Sequence, residues 1–521
     1  MKTLTARMAS MSAEERSRFL ANVRAAATGS TVADEPRLAP GACPDGRGPA
    51  SFVQEQLWFV SRLADGVPAY NVSFAFRLDG PLDADDLSGA VADVARRHDV
   101  LRTRLVVAGG RLGQEVTDQV PAVPLIDVST ADAPDTAAEE QIGKLSRTVF
   151  ELSAGPPLRL ALIRVRDDRH VLVWIAHHAL VDGWSFGIIC TELATAYRAR
   201  RAGRQADLPP VRLQFLDVAQ WQRTRVAGAL LQKLVAGWRD RLAGPAPRDL
   251  PTDHPRPDRQ TFRGGMRRFD LGRPAAQAVT AAAESAGVTP FGVLLGAYAL
   301  TLAAHAGGDA EVIGVPLAGR GRPELDGVVG PCSNTLPLRI DLAGDPTLAE
   351  VTVRANEAML AAVSEQDVPF GKLAEAVLPD RDAGRNPLFG VLFNLGNLPP
   401  GSDRAELGPD TTMRVDGCPN GTVRLDLELT VEHGPEALTG RLEYNVDLFD
   451  AATADALVDD LRYVLEQIAA RPDERRSAVR PPGAAGRQMA ARARTLSRDS
   501  ASAPRPVRTA SAARRAKGWT G

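Results

Sequence analysis

The stretch HVLVWIAHHALVDGWSFGIICTELATAY, residues 170–197, decides how this sequence is interpreted. A continuous apolar run ends in two adjacent histidines, and a short segment containing Asp182 and Gly183 leads into a helical pattern. This order predicts a buried strand, a tight loop and a helix. Because neighbouring residues on a strand point to opposite faces, His177 and His178 can face one cavity only where the strand has ended. We therefore expect one structural histidine and one that is free to act.

The predicted loop presents an imidazole beside the N-terminus of the helix. Gly183 is expected to allow a sharp turn into that helix, and Ser185 lies in its first turn. An imidazole at this position can accept a proton from a nucleophile, and backbone N–H groups at the start of a helix can stabilise an oxyanion. A lone buried histidine is usually structural, but the spacing H-H-x-x-x-D-G is far more specific. Metal binding is disfavoured because adjacent strand histidines diverge and no third ligand follows at short spacing.

The rest of the chain predicts a mixed α/β protein. Its 521 residues, 44% of them hydrophobic, are enough for two or three domains. Helical patterns such as residues 87–98 alternate with strand-like runs such as residues 70–78. A helix is expected over residues 226–242, followed by the proline-rich segment GPAPRDLPTDHPRPDR. We therefore place the boundary between two lobes at this region, giving residues 51–225 and residues 226–474.

The two ends of the chain differ in composition from this body. Residues 1–50 predict an N-terminal helix and a linker rich in glycine and proline, so that the folded body starts near Ser51. Residues 475–521 contain eleven arginines and Lys517 but only one acid, Asp499, which predicts a basic disordered tail. The chain as a whole has a net charge of −2, so the remaining body is acidic. An acidic body argues against a nucleic-acid partner.

Cysteine usage and hydropathy indicate a cytoplasmic protein. No two of the four cysteines form a C-x-x-C pair, which disfavours a disulfide framework and a zinc module. The N-terminus lacks the apolar core of a signal peptide. The longest apolar stretch, residues 291–304, is shorter than the ~20 residues of a membrane span. We expect it to be a buried helix, and we expect no membrane partner.

Six further segments, together with the histidine motif, give a resemblance to the condensation domains of nonribosomal peptide synthetases, whose hallmark is H-H-x-x-x-D-G. In chain order they are SFVQEQLW (51–58), RHDVLRT (97–103), FLDVAQW (215–221), VGPCSNTLPLR (329–339), QDVPF (366–370) and RNPLF (385–389). The resemblance covers about residues 50–470. It departs from the family pattern at residues 331–333, where bulky apolar residues are usual, and at Asp99, where glutamate is more usual.

The resemblance implies two lobes, each similar to chloramphenicol acetyltransferase, in a V-shaped pseudo-dimer with a central tunnel. Donor and acceptor carrier proteins would deliver substrates on phosphopantetheine, and the enzyme itself would bind no cofactor and no metal. By residue-by-residue match, His178 is the catalytic histidine and His177 supports the loop. Asp182 and Gly183 complete the motif.

Further site residues follow from the same resemblance. Asp182 is expected to be mainly structural and to be held by an arginine, for which Arg339 and Arg102 are the candidates. Trp184, Ser185 and Asn334 are expected to contact substrate in the tunnel.

The implied reaction joins a carrier-bound acyl thioester to an amine, or to a hydroxyl. Gly183 argues against an epimerisation domain, and His177 argues against a heterocyclisation domain. Two alternatives stay open: a free acyltransferase that uses acyl-CoA or a carrier with a small amine or alcohol acceptor, and a catalytically silent carrier-binding platform. The sequence contains no G-G-x-S carrier motif and no room for an adenylation domain. This favours a free-standing enzyme that meets its carriers in trans.

Overall fold

The computed structural model describes residues 36–64, 66–378, 386–396, 404–434 and 436–484. The helices in this part of the chain are α1 (Phe52–Leu63), α2 (Ala84–Arg97), α3 (Pro134–Ser146), α4 (Gly183–Arg201), α5 (Phe215–Arg225), α6 (Gly228–Leu242), α7 (Gly272–Ala286), α8 (Pro290–Ala306), α9 (Leu348–Ser364), α10 (Phe370–Val377) and α11 (Ala451–Ala470). The strands are β1 (Arg47–Pro49), β2 (Asn71–Asp79), β3 (Thr103–Ala108), β4 (Arg111–Val116), β5 (Leu125–Asp127), β6 (Leu158–Arg166), β7 (Arg169–His177), β8 (Gly264–Asp270), β9 (Ala310–Leu317), β10 (Asn334–Asp341), β11 (Val391–Leu395), β12 (Arg404–Gly408), β13 (Thr411–Gly417), β14 (Leu427–His433) and β15 (Leu438–Asn445).

The first lobe is built around the strand that ends at the histidine pair. Its six-stranded sheet has the order β12-β13-β2-β7-β6-β5, so β7 lies inside the sheet between two antiparallel neighbours. Helices α2 and α4 pack on one face of this sheet, and α3 packs on the other. Because both faces are covered, β7 is buried almost throughout, and its residues 171–176 form an unbroken apolar run. The predicted strand is confirmed. It runs through the core of the first lobe and ends at His177.

The second lobe repeats this layered arrangement with a sheet of order β10-β9-β11-β14-β15-β8. Its main core lies between this sheet and helices that include α7, α8, α9 and α11. Helix α8 is apolar on all sides and almost completely buried, as predicted for residues 291–304. No single helix in the described ranges is long and apolar enough to cross a membrane; α7 and α8 pass that test only as a pair, bent by 104°.

The boundary between the lobes is not a single point in the sequence. Strands β12 and β13 come from the second half of the chain but complete the sheet of the first lobe, where β13 pairs with β2. Leu325, Val328 and Cys332 also come from the second half and are buried in the first core. The expected lobe of residues 226–474 is therefore corrected, because pairing with β13 satisfies backbone groups that β2 would otherwise leave open.

Two expectations about the chain ends are also corrected. Residues 36–50 are not a free linker, since the Trp221 indole donates to the carbonyl of Pro36 at 2.8 Å and β1 pairs with β4. Residues 475–484 are not disordered, since the Gly483 amide donates to Asp460 at 2.9 Å and Ala484 is only 3% exposed. The predicted N-terminal helix and the remainder of the basic tail lie outside the described residues.

Candidate active site

The histidine pair lies where β7 ends and the chain turns toward α4. His177 is the last residue of β7, and His178 begins the turn that follows. The His178 amide donates to the carbonyl of Tyr70 at 2.8 Å, and the His177 amide donates to the carbonyl of Pro157 at 2.9 Å. These bonds hold the backbone of the histidine pair to the residues immediately before β2 and β6. The strand therefore ends between the two histidines.

The two imidazoles make different hydrogen bonds. The Ala179 amide donates to Nδ1 of His177 at 3.1 Å, so the proton of this ring is on Nε2, which lies 2.9 Å from Oγ of Ser61. In His178, Nδ1 lies 2.7 Å from the carbonyl oxygen of Val181, which can only accept. His178 therefore carries its proton on Nδ1, and its Nε2 is left as a proton acceptor. His177 has both ring nitrogens engaged within the protein, which is a structural role.

Both histidines are held neutral by their surroundings. Burial, and to a lesser extent the neighbouring His178, lowers the pKa of His177 to about 3. Burial also lowers the pKa of His178, and the positive charge of Arg424 adds to this effect. The Val181 carbonyl and the Asp182 carboxylate act in the opposite direction. The neutral form of His178 is the form that can accept a proton from a nucleophile.

Asp182 caps helix α4 and fastens the loop to the second half of the chain. Its Oδ1 accepts the Ser185 amide at 2.9 Å, and its Oδ2 accepts the amides of Cys332 and Ser333 at 3.0 and 3.1 Å. Arg320 donates to Oδ2 at 2.8 Å and to Oδ1 at 3.1 Å. Burial would raise the pKa of Asp182, but Arg320 and these hydrogen bonds hold it below its ordinary value. With every contact directed into the protein, Asp182 is a positioning residue.

The arginine that holds Asp182 is Arg320, and the expectation of Arg339 or Arg102 is wrong. Arg102 pairs with Asp99 at 2.7 Å and donates to nearby carbonyl groups. Arg339 lies on β10 with its guanidinium beside Gly244. Arg320 lies 138 positions from Asp182 and in none of the recognised motifs, so among 62 basic residues the sequence offers no signal that selects it.

The remaining predicted site residues make hydrogen bonds within the protein. Ser185 is fully buried, and its Oγ bonds to Asp182 and Gly330, so in this structure it is not a tunnel contact. The Asn334 amide donates to the carbonyls of Gln366 and Val368 at 3.0 and 2.7 Å, which also makes it structural. The Trp184 indole donates to the carbonyl of Asp326 at 2.9 Å.

Gly183 is the first residue of α4 and is exposed. Its backbone is outside the left-handed region, so no sharp turn requires glycine there, and the expectation of such a turn is corrected. A side chain at this position would meet open space.

The second lobe contributes a cation that the sequence did not reveal. Arg424 follows a loop in which the Asn420 amide donates to the carbonyl of Pro68 at 2.7 Å. This contact joins the loop to the segment whose Tyr70 carbonyl binds the His178 amide. No three His, Cys, Asp or Glu side chains are grouped as metal ligands anywhere in the ranges that the structure covers.

Comparison with known proteins identifies the family. A family model described as the condensation domain matches residues 45–489. This chain belongs to the condensation-domain family. The condensation domain is 34% identical over 478 residues to phosphinothricin tripeptide synthetase PhsC of Streptomyces viridochromogenes, covering 91% of this chain and 43% of that protein. It is 36% identical over 445 residues to the isonitrile lipopeptide synthase of Mycobacterium tuberculosis, covering 83% and 18%. The chain thus spans less than half the length of these curated relatives.

Solved structures agree with this assignment. The X-domain from teicoplanin biosynthesis superimposes with a TM-score of 0.74 at 30% identity, covering 85% of this chain and 99% of that one. The SgcC5 protein from Streptomyces globisporus gives a TM-score of 0.68 at 27% identity, covering 82% and 100%. The predicted resemblance to nonribosomal peptide synthetase condensation domains and the fold of two acetyltransferase-like lobes are confirmed. A role in condensation during nonribosomal peptide biosynthesis is supported by the same relatives.

Proposed function

We propose that this condensation domain transfers an acyl or aminoacyl group from a carrier-bound thioester to an amine, forming an amide. The observation that carries this proposal is the hydrogen bond from Nδ1 of His178 to the Val181 carbonyl at 2.7 Å. It fixes the tautomer in which Nε2 is a free base, at the end of a buried strand and beside the N-terminus of α4. A hydroxyl acceptor would give an ester by the same steps.

The reaction proceeds by addition and elimination at the thioester carbonyl. The amine nitrogen forms a bond to the carbonyl carbon, and Nε2 of His178 takes the proton that the nitrogen loses. The C–S bond then breaks, and the proton passes to the thiolate of the phosphopantetheine arm. Proton transfer of this kind contributes about 10²–10⁴-fold to a rate. Holding both substrates next to each other contributes as much or more.

Other site residues act by holding His178 in place. Asp182 joins the histidine loop, the first turn of α4 and Arg320, so the loop has one geometry. His177 ties the same loop to α1 through Ser61. The positive end of α4 lies directly after the loop, where negative charge develops on the carbonyl oxygen. The enzyme needs no cofactor of its own for these steps.

The test is intact mass spectrometry of a donor-loaded carrier protein incubated with the full chain and an amine or alcohol acceptor. We expect acyl transfer with the wild type, transfer slowed by at least 10²-fold in His178→Ala, and full transfer in His254→Ala, in which the lost imidazole pairs with Asp450 in the second lobe. Equal rates for wild type and His178→Ala would overturn the proposal. Transfer from acyl-CoA but not from carriers would establish the free acyltransferase instead.

Carrier proteins are the proposed partners, and the outer face of α1 is the proposed contact for the acceptor carrier. Phe59 and Leu63 are large apolar residues that are 45% and 63% exposed, one turn apart on that face. The inner face of the same helix reaches His177 through Ser61. We expect Phe59→Asp to raise KM for a carrier-bound acceptor severalfold and to leave KM for a small free amine unchanged. Equal changes for both acceptors would contradict this contact.

A second candidate function is recruitment of another enzyme. It is favoured by one observation: the X-domain from teicoplanin biosynthesis, which this chain resembles at 30% identity, has been solved as a complex with OxyB. If this chain is a platform, carrier or enzyme binding persists while no donor and no acceptor supports transfer. The mass-spectrometry experiment above separates the two functions.

A further inference from the structure

One face of the second sheet carries charges beside the histidine loop. On β14, Leu427 and Leu429 point into the second core, so Glu428 between them points to the opposite face. Glu428 lies directly across from Glu443 on β15, and Arg441 is on the same face. Helix α10 and Phe389 cover the half of this face formed by β9 and β11 with apolar residues. The half formed by β14 and β15 is charged instead.

Arg424 is fixed on this face by a single carboxylate. Oε1 of Glu428 accepts the Arg424 amide at 2.8 Å and its Nε at 3.2 Å, and Oε2 accepts Nη2. The Glu428 side chain is only 4% exposed, whereas the Arg424 side chain is 37% exposed. Nη1 donates to no acceptor among the described residues. It is also absent from the set of fully buried polar atoms without a partner, so Nη1 is accessible to solvent. One edge of the guanidinium is therefore oriented by Glu428, and the other edge is open.

The position of Arg424 relative to His178 is set by contacts between the lobes. The loop before it is joined to the first lobe by Asn420 and by the Cys418 amide, which donates to the carbonyl of Ser73 at 2.9 Å. Burial raises the pKa of Tyr70 to about 12, and the charge of Arg424 opposes that rise. The same charge reaches His178. Residues 68–73 of the first lobe are therefore bonded both to the loop that leads to Arg424 and to the histidine loop.

We infer that Arg424 is a specificity residue that binds a carboxylate of the acceptor amine. This rests on the proposed function. A guanidinium already held by one carboxylate retains donors for a second one, and its fork geometry suits that group. An acceptor that carries both an amine and a carboxylate, such as a free amino acid or an acidic aminoacyl group, places its amine at Nε2 of His178 while its carboxylate meets Nη1 of Arg424.

The experiment compares acceptors that differ only by carboxylate and carboxamide. The full chain, with a donor-loaded carrier, is given glycine or glycinamide in one arm and aspartyl- or asparaginyl-loaded acceptor carrier in the other. We expect kcat/KM to favour the carboxylate by about tenfold to a hundredfold in at least one arm, as for a charge-assisted hydrogen bond. The arm that shows the preference identifies a main-chain or a side-chain carboxylate.

The variants are Arg424→Gln and the double variant Arg424→Gln/Glu428→Gln, which leaves no buried carboxylate without a partner. Both are expected to bring the ratio to about one. Arg441→Gln is the matched control, because Arg441 is on the same face, is 36% exposed and also pairs with a glutamate; it is expected to keep the ratio. A wild-type ratio of one in both arms, or a preference that survives loss of Arg424, overturns the inference.

The inference can also be tested by binding alone, so that its failure is distinguishable from failure of the proposed function. If no acceptor supports transfer, calorimetric titration of the wild type and of both variants with aspartate and asparagine decides the inference alone. Aspartate binding at least tenfold tighter than asparagine binding, and lost without Arg424, supports it. Equal or absent binding of the two probes overturns it.

Discussion

His177 and His178 are adjacent in sequence, yet their imidazoles carry their protons on different nitrogens. A backbone amide donates to Nδ1 of His177, and a backbone carbonyl accepts from Nδ1 of His178. Only the second arrangement leaves Nε2 as a base. The division of roles between these residues therefore comes from the turn at residues 178–181, which places one N–H and one C=O beside two otherwise identical rings.

The pH dependence of the reaction follows from this environment. Burial and the charge of Arg424 lower the pKa of His178 below the ordinary value of about 6.5. Since the neutral ring is the active form, we expect kcat/KM, expressed for the unprotonated acceptor amine, to decline with a midpoint below pH 6.5. Arg424→Gln is expected to move that decline to higher pH. A pH–rate profile measures both, and a wild-type decline centred above pH 6.5 would contradict the assigned environment.

Glu311 on β9 makes the folded protein less stable as pH rises, whereas a salt-bridged carboxylate makes it more stable as pH rises. It is 5% exposed, its Oε1 has no hydrogen-bond partner among the described residues, and burial raises its pKa to about 8. Between the ordinary carboxyl pKa and 8, the unfolded chain ionises this group while the folded chain keeps it protonated. Stability therefore falls by up to about 1.4 kcal/mol per pH unit over this interval.

Glu311→Gln is expected to remove this part of the slope. Urea unfolding at a series of pH values measures it, and Glu284→Gln, at an exposed position on α7, is the control that is expected to keep the slope. An unchanged slope in Glu311→Gln would show that the carboxyl group is solvated.

At the scale of elements, helix α4 and residues 318–334 form one unit. Arg320 and Asp182 are 2% and 3% exposed, and the Ser185 hydroxyl bonds to Gly330 from the other side. Removing one charge of a buried pair costs about 3–5 kcal/mol because the other stays buried without compensation. We expect Arg320→Met and Asp182→Asn each to lose this much unfolding free energy, together with transferase activity.

A double-mutant cycle tests the ion pair between Asp182 and Arg320. The Asp182→Asn/Arg320→Met variant is expected to lose clearly less than the sum of the single losses, because neither charge is then stranded. Activity is expected to stay low in the double variant, since the hydrogen bonds to the loop are still changed. Strictly additive losses of stability would mean that the two residues do not act as a pair.

Sequence reasoning succeeded where the controlling physics is local. Alternation along β7 indicated that the two histidines differ in role, and the continuous apolar run at residues 291–304 indicated a buried helix, because both depend on neighbours within a few residues. It failed for Arg320, whose partner is 138 positions away. It also failed for Arg424, whose surroundings are created by strands and loops from separate parts of the chain. The motif order indicated the family but not these contacts.

At the scale of the whole molecule, two segments of the second half are built into the first lobe. The hairpin of β12 and β13 extends the first sheet, and residues 318–334 hold the histidine loop. The predicted boundary at residue 225 followed a change in composition along the chain. It missed these two segments of the second half, because edge pairing between distant strands leaves no local sequence pattern. The first lobe therefore depends on the second for its own sheet and for the charge that balances Asp182.

This exchange makes a prediction about unfolding. If the second lobe unfolded first, the first lobe would lose two strands and would leave Asp182 buried without Arg320, at a cost of about 3–5 kcal/mol. We therefore expect one calorimetric transition with equal calorimetric and van't Hoff enthalpies, and hydrogen exchange that is lost together in β7 and β14.

Gly80 allows the coupling itself to be varied. It has a φ of 119°, and a side chain there would collide with the carbonyl of Asp410 in the turn between β12 and β13. Gly80→Ala is expected to detach this hairpin and to split the transition in two. Gly109→Ala also places alanine at a positive φ, of 56°, but in open space, and is expected to lower the midpoint without splitting it. Two separate transitions in the wild type would show that the lobes fold independently despite the exchanged segments.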